Sequence, residues 1–138
     1  MNRRPSWDDV WMSMAEILSK RSHHSKFQVG AVVVTEDNTQ VLSVGYNGNY
    51  SGGPNKAESE SPGESELIHA EMNALFKLDY NNYKNKKMYV TLMPCSMCSK
   101  AIINCGIKTV IYKDDYRDSK GIYILKQADI KVRKYIKN

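Results

Sequence analysis

Four side chains in two short stretches are able to do chemistry together: His69 and Glu71 in His69-Ala70-Glu71, and Cys95 and Cys98 in Pro94-Cys95-Ser96-Met97-Cys98. One imidazole and two thiolates suit Zn2+, and three protein ligands leave the fourth tetrahedral position to water, the arrangement of a catalytic zinc and not of a closed structural one. Zinc lowers the pKa of bound water from near 16 to about 7, so hydroxide becomes available at neutral pH. Glu71 is suited to moving protons between that water and a substrate. Plainer roles compete. A structural zinc knuckle would need a fourth ligand, for which only Cys105, His23 and His24 are spare. His69 alone would read as a helix cap, and Glu71 alone as a solvated first-turn acid. Cys105, followed by Gly106 as a helix stop, reads as a buried thiol.

The spacing of these residues makes demands on the fold. Cys95 and Cys98 at i and i+3 share one face of a helix, whose first turn Pro94 prepares, and the free N–H groups there favour thiolates. His69 and Glu71 are two apart and do not share a helix face. Their spacing makes sense if the metal lies off a helix N-terminus, with the cysteine helix facing it. His-x-Glu followed by Pro-Cys-x-x-Cys matches the signature of zinc-dependent nucleobase deaminases, in which the glutamate serves as general acid and base.

The elements that must position these groups follow from pattern. Ser6 caps a helix over about residues 7 to 20, with Asp8 and Asp9 in its first turn and Trp7, Val10, Trp11, Met14, Ile17 and Leu18 at helical spacing. The polar connection Arg21 to Lys26 leads into a strand over 27–34, too continuously apolar for a sheet with one wet face. Gly30 within it predicts close approach of another backbone or a ligand. A turn at 36–39 and a returning strand over 40–46 complete a hairpin. Residues 47–66, with Gly48, Gly52, Gly53, Pro54, Pro62 and Gly63, form a long loop of the kind that is usually functional. A helix over 67–80, a strand over 88–92, a helix over 95–104, a strand over 108–112, a helix over 122–128 and a short strand over 130–135 follow. This order predicts a mixed sheet with helices on both faces.

At 138 residues the chain is the length of one domain, 1–138. Hydrophobic content of 41% and charged content of 25% are ordinary for a soluble globular protein. Arg3 and Arg4 are not backed by an apolar run, and no stretch approaches membrane-spanning length, so an intracellular protein without a membrane partner is expected. Three cysteines, two of them in Cys-x-x-Cys, fit a reducing compartment and a metal better than a disulfide framework. The net charge of +5 suits an anionic partner, either nucleic acid or a nucleotide phosphate, although the basic C-terminal residues read first as a solvated face.

Beyond these patterns, Arg21-Ser22, Gln28 to Ala31, Gly45-Tyr46-Asn47-Gly48, His69 to Ala74, Met88 to Leu92, Pro94 to Cys98, Gly106-Ile107 and Tyr112 with Tyr116 resemble the deoxycytidylate (dCMP) deaminases of the cytidine deaminase superfamily over nearly the whole chain. The resemblance implies a three-layer α/β/α fold with a five-stranded mixed sheet, one catalytic zinc on His69, Cys95 and Cys98, and Glu71 as proton shuttle. It implies hydrolysis of dCMP to dUMP and ammonia by attack of zinc-bound hydroxide on C4 of cytosine. Arg21, Asn47, Thr91, Tyr116 and Arg117 become the expected substrate contacts, since arginines suit a phosphate by bidentate hydrogen bonding. Arg117 alone would read as a partner of Asp114, Asp115 and Asp118. Gly45, Tyr46, Asn47 and Gly48 match an effector motif, implying dCTP and dTTP as effectors, with Mg2+ accompanying the nucleotide. A homo-hexamer is implied as well, while a cytoplasmic location is the expectation from the reducing-compartment cysteines and the lack of a membrane-length apolar run. Because 47–66 holds neither Cys nor His, a second zinc is not expected there, and His23 and His24 find no further metal ligand in that stretch. Deamination of dCTP or cytidine is the nearest alternative. A tRNA adenosine type of deaminase usually shows Glu-Pro-Cys where this chain has Met93-Pro94-Cys95. A non-catalytic zinc module binding nucleic acid has no use for Glu71.

Overall fold

A computed structural model describes residues 3–59, 61 and 64–137; the readings made of Pro62 and Gly63 lie outside the described residues. The first element, α1 (Trp7–Ser19), starts where the sequence predicts, with the Ser6 hydroxyl accepting the Asp9 N–H at 3.0 Å. Its buried face differs from the predicted stripe. Trp11, Met12 and Ala15 are buried, whereas Ile17 is 67% exposed. The cause is the predicted close approach at Gly30, where an added Cβ would lie 1.9 Å from the Ala15 carbonyl oxygen. Only a small residue fits between helix and sheet there, so Ala15 faces inward and Ile17 rotates outward.

Strand β1 (Gly30–Thr35) is buried along its length and pairs antiparallel with both β2 (Val41–Tyr46) and β3 (Lys86–Leu92). The 27–29 part of the predicted strand does not join the sheet. Asn47 donates from Nδ2 to the Phe27 carbonyl (2.7 Å) and accepts the Val29 N–H on Oδ1 (2.9 Å), replacing ladder partners by one amide. In the hairpin turn, Asp37 accepts from the Thr35 hydroxyl and from the Thr39 N–H and hydroxyl, which hold its carboxyl down at about 2.

After β3, α3 (Ser96–Asn104) leads to β4 (Ile107–Asp114), and α4 (Lys120–Gln127) leads to β5 (Lys131–Lys134); β3, β4 and β5 are mutually parallel. The strand order is β2-β1-β3-β4-β5, a five-stranded mixed sheet. One face packs Val32, Val34, Tyr89 and Ile111 against α1. The other packs Ala31, Val33, Met88, Val90 and Val110 against α3, α4 and α2 (Ala70–Phe76). Each fully buried Val, Leu or Ile contributes about 1.5–3 kcal/mol of transfer free energy, so the two apolar layers carry the fold. A polar tie crosses the first layer: the Tyr89 hydroxyl and the Arg133 guanidinium both donate to Asp8, joining α1, β3 and β5. Burial opposes ionisation of Asp8, but those two donors outweigh it and hold the carboxyl below its ordinary value. No helix among the described residues is long and apolar enough to cross a membrane.

Candidate active site

Helix α2 is shorter than the predicted 67–80, and the shortening shapes the site. Ile68 exchanges two backbone hydrogen bonds with Gly48 (2.9 and 3.0 Å), which holds it extended and delays the helix to Ala70. His69 therefore occupies the N-cap, with φ −66° and ψ 152°, while Glu71 lies in the first turn and is buried. A residue outside the helix and a residue inside it no longer need a common helical face, and this resolves the two-residue spacing.

Helix α3 starts one residue later than predicted. Cys95 is its N-cap, its Sγ accepting the Cys98 N–H at 3.5 Å, and Pro94 precedes the cap instead of opening the first turn. The His69 Nδ1 lies 3.3 Å from the Cys98 Sγ and 3.6 Å from the Cys95 Sγ, and the three donor atoms are all within 4.8 Å of one another. With Zn–S near 2.3 Å and Zn–N near 2.0–2.1 Å, a tetrahedral ion would set adjacent donors roughly 3.5–3.8 Å apart. The donor set fits zinc in both chemistry and spacing.

Electrostatics at the site follow from burial and from the shared sulfur contact. The hydrogen bond from Cys98, aided by His69, holds the Cys95 thiol down at about 4, whereas the same contact and burial push Cys98 up. A divalent cation favours both sulfurs as thiolates, so its binding would release protons from the pair. The contact with Cys95, opposed by burial and helped by the Glu71 charge, pushes His69 up. Burial pushes the Glu71 carboxyl up to about 7, so near neutral pH it is able both to accept and to give a proton.

A cavity opens over this group. His69, Glu71 and Cys95 line it together with Asn47, Tyr116, His24 and Ser65, and Phe27, Val29, Leu92 and Met93 supply an apolar wall. Of the expected substrate contacts, Asn47 and Tyr116 are therefore at the cavity; Arg21, Thr91 and Arg117 are not among its lining residues. The Thr91 hydroxyl accepts the Gly30 N–H at 3.1 Å and faces a neighbouring cavity. Arg21 lies over the Tyr46 ring, 6.0 Å from its centroid, and Arg117 lies over Tyr116 at 5.1 Å. Gly45 meets the backbone of α2 at Ala70 and Ala74, and Gly48 forms the bridge to Ile68. The His24 Nδ1 accepts the Lys26 and Phe27 N–H groups at 3.0 and 2.9 Å. Phe27 and Val29 were missed from sequence, because only the folding back of 22–29 onto the site brings them there; Ser65, Leu92 and Met93, which just precede the two motifs, were missed as well.

Residues 5–114 match the family model described as the cytidine and deoxycytidylate deaminase zinc-binding region. The chain belongs to the cytidine and deoxycytidylate deaminase family. Its five-stranded sheet and helix arrangement are those of the cytidine deaminase-like fold. The deoxycytidylate deaminase of Homo sapiens is 33% identical over 146 residues, which cover 94% of this chain and 80% of that relative. The deoxycytidylate deaminase of Saccharomyces cerevisiae is 35% identical over 144 residues, and the chain spans about half of that relative's length (46%). Among solved structures, the dCMP deaminase of cyanophage S-TIM5 in complex with dCMP and dUMP superposes with a TM-score of 0.84 at 34% identity, covering 97% of this chain and all of that one. As a family member the chain has a zinc-binding region, and His69, Cys95 and Cys98 are the candidate metal group found among its described residues.

Proposed function

We propose that this chain, as a single domain over 1–138, catalyses the zinc-dependent hydrolytic deamination of dCMP to dUMP and ammonia. The observation that carries the reading is the three-donor group of His69, Cys95 and Cys98, with buried Glu71 beside it at the floor of a cavity. The phage relative bound to dCMP and dUMP supports the choice of nucleotide. When bound, zinc supplies a Lewis-acid position at which water loses a proton near neutral pH. Glu71 would take one proton from the attacking water and pass it to the ring nitrogen N3 as the oxygen adds at C4; it would then take the second proton from the C4 hydroxyl and pass it to the amine nitrogen as the C4–N bond breaks and ammonia leaves. A carboxyl pushed up to about 7 by burial suits a group that must both take and give. Phe27, Val29, Leu92 and Met93 exclude water from the base and give it an apolar slot, while Asn47 holds that wall in place. Tyr116 faces the sugar and base, and the neighbouring Arg117 supplies charge for the phosphate.

Regulation by dCTP and dTTP, with Mg2+ arriving on the nucleotide, rests on the resemblance at Gly45 to Gly48, beside which Arg21 lies over Tyr46. A homo-hexamer rests on the same resemblance, and a cytoplasmic location rests on the composition and cysteine usage of the chain. The test is a panel of dCMP, dCTP and cytidine assayed for ammonia release, with and without dCTP and dTTP as effectors. Turnover of dCMP above the other two is expected. Turnover confined to tRNA or single-stranded DNA would replace this reading.

A further inference from the structure

The cysteine pair is also held from behind, by a helix that lies outside the residues matched by the family model. Gly121, the second residue of α4, is buried against the start of α3. A Cβ placed on it would lie 2.2 Å from the Pro94 carbonyl oxygen, 2.8 Å from the Cys95 carbonyl oxygen and 2.7 Å from the Ser99 Oγ. Two of these three atoms are backbone and cannot swing aside. Ser99 is fully buried, its hydroxyl has no hydrogen-bond partner among the described residues, and Gly121 lies against it. The same contact anchors the end of the 115–119 connection, which brings Tyr116 to the cavity.

We infer that Gly121 is a positioning residue of the active site, its bare α-carbon setting where Cys95 stands in the metal group and where Tyr116 meets the cavity. The magnitude decides that this contact reaches the metal. Real Cβ atoms stay at least 3.0 Å from such neighbours, so any side chain at 121 forces a shift of most of an ångström across the contact between α4 and the Pro94–Cys95 peptide. Metal–ligand distances tolerate only about 0.2 Å. The Cys95 carbonyl also accepts the Ser99 N–H at 2.9 Å, so it cannot tilt without loosening the first turn that carries Cys98. One methyl group on α4 therefore moves the ligand set and the Tyr116 wall together.

The inference rests on the reading of the site as a zinc deaminase centre, and the experiment separates the two. In the full chain, Gly121→Ala is compared with wild type for zinc affinity by chelator competition, for the absorption spectrum of the Co2+-substituted protein, and for KM on dCMP. Zinc affinity is expected to fall about 10–100-fold, as for loss of an outer partner of a ligand, with altered cobalt bands and a raised KM at saturating zinc. Leu125→Ala, one turn along the same helix and buried in the core, should lower thermal stability yet leave the cobalt spectrum and zinc affinity unchanged. If Gly121→Ala does not fold, Ser99→Thr enlarges the opposite side of the same contact and should give the same spectral change with a smaller loss of affinity. Wild-type affinity and cobalt spectrum in the folded variant overturn the inference, whatever its activity. A wild-type chain that binds zinc but does not turn over dCMP overturns the functional reading instead, and the metal readouts still test Gly121.

Discussion

Asn47→Ala tests whether the wall of the cavity is held by one side chain. The Asn47 amide donates to the Phe27 carbonyl at 2.7 Å and accepts from the Val29 N–H at 2.9 Å, and Asn47 itself is buried. Truncation strands one backbone acceptor and one backbone donor, each of which costs about 1–3 kcal/mol when left unpaired in the interior. Phe27 is 39% exposed, so water satisfies part of the loss and the low end of that range applies, about 1–1.5 kcal/mol for each group. A total of about 2–3 kcal/mol is expected. For 138 residues, an unfolding entropy of about 2.1 cal/mol/K per residue converts this into a Tm lowered by roughly 7–10 °C. Thermal unfolding followed by circular dichroism reads the shift, and steady-state kinetics should show KM for dCMP rising several-fold as the 27–29 wall loosens. A Tm within 2 °C of wild type together with a KM raised tenfold or more would refute the reasoning, because Asn47 would then act on the nucleotide directly and not through the backbone.

Two further outcomes follow from the site and from the α1 tie. Glu71→Gln keeps shape and removes the titrating oxygen, so turnover should fall by about 10²–10⁴, the usual contribution of a positioned acid–base group, while zinc measured by atomic absorption stays near one per chain; turnover within tenfold of wild type would remove Glu71 from the mechanism. Asp8, whose folded carboxyl is held below the ordinary 3.8 by Arg133 and Tyr89, contributes stability above that ordinary value and loses it as pH falls through the lower folded one. Urea denaturation should thus show Asp8→Asn weaker than wild type at pH 7, with the gap narrowing below pH ~4; a gap independent of pH would refute the assignment.

The chemistry was more legible in the sequence than the walls around it. His69, Glu71, Cys95 and Cys98 are readable because ligand type and short spacing are local properties, and all five strands and four helices are found at or near their predicted places. What pattern missed depends on partners far along the chain. Residues 27–29 read as strand because they are apolar, and a side chain 18 to 20 positions away takes their hydrogen bonds. Residues 67 and 68 read as helix, but Gly48 holds Ile68 extended. The buried face of α1 was misjudged because apolar spacing does not encode the Ala15 to Gly30 approach. The position of Arg21 over Tyr46 is likewise set by a ring contact with a residue on another element, which no local motif announces.

The two edges of the sheet are unequal. On β5, Lys131, Arg133 and Lys134 are all exposed, so an approaching strand of a like chain would meet three cations. On β2 no residue from Val41 to Tyr46 is charged, and Val41 is 43% exposed. The Gly48–Ile68 bridge lies beyond the end of that strand and does not cover it. At high concentration, or when the Gly48–Ile68 bridge is loosened, intermolecular strand addition should begin at β2, whereas β5 is guarded against it by like-charge repulsion.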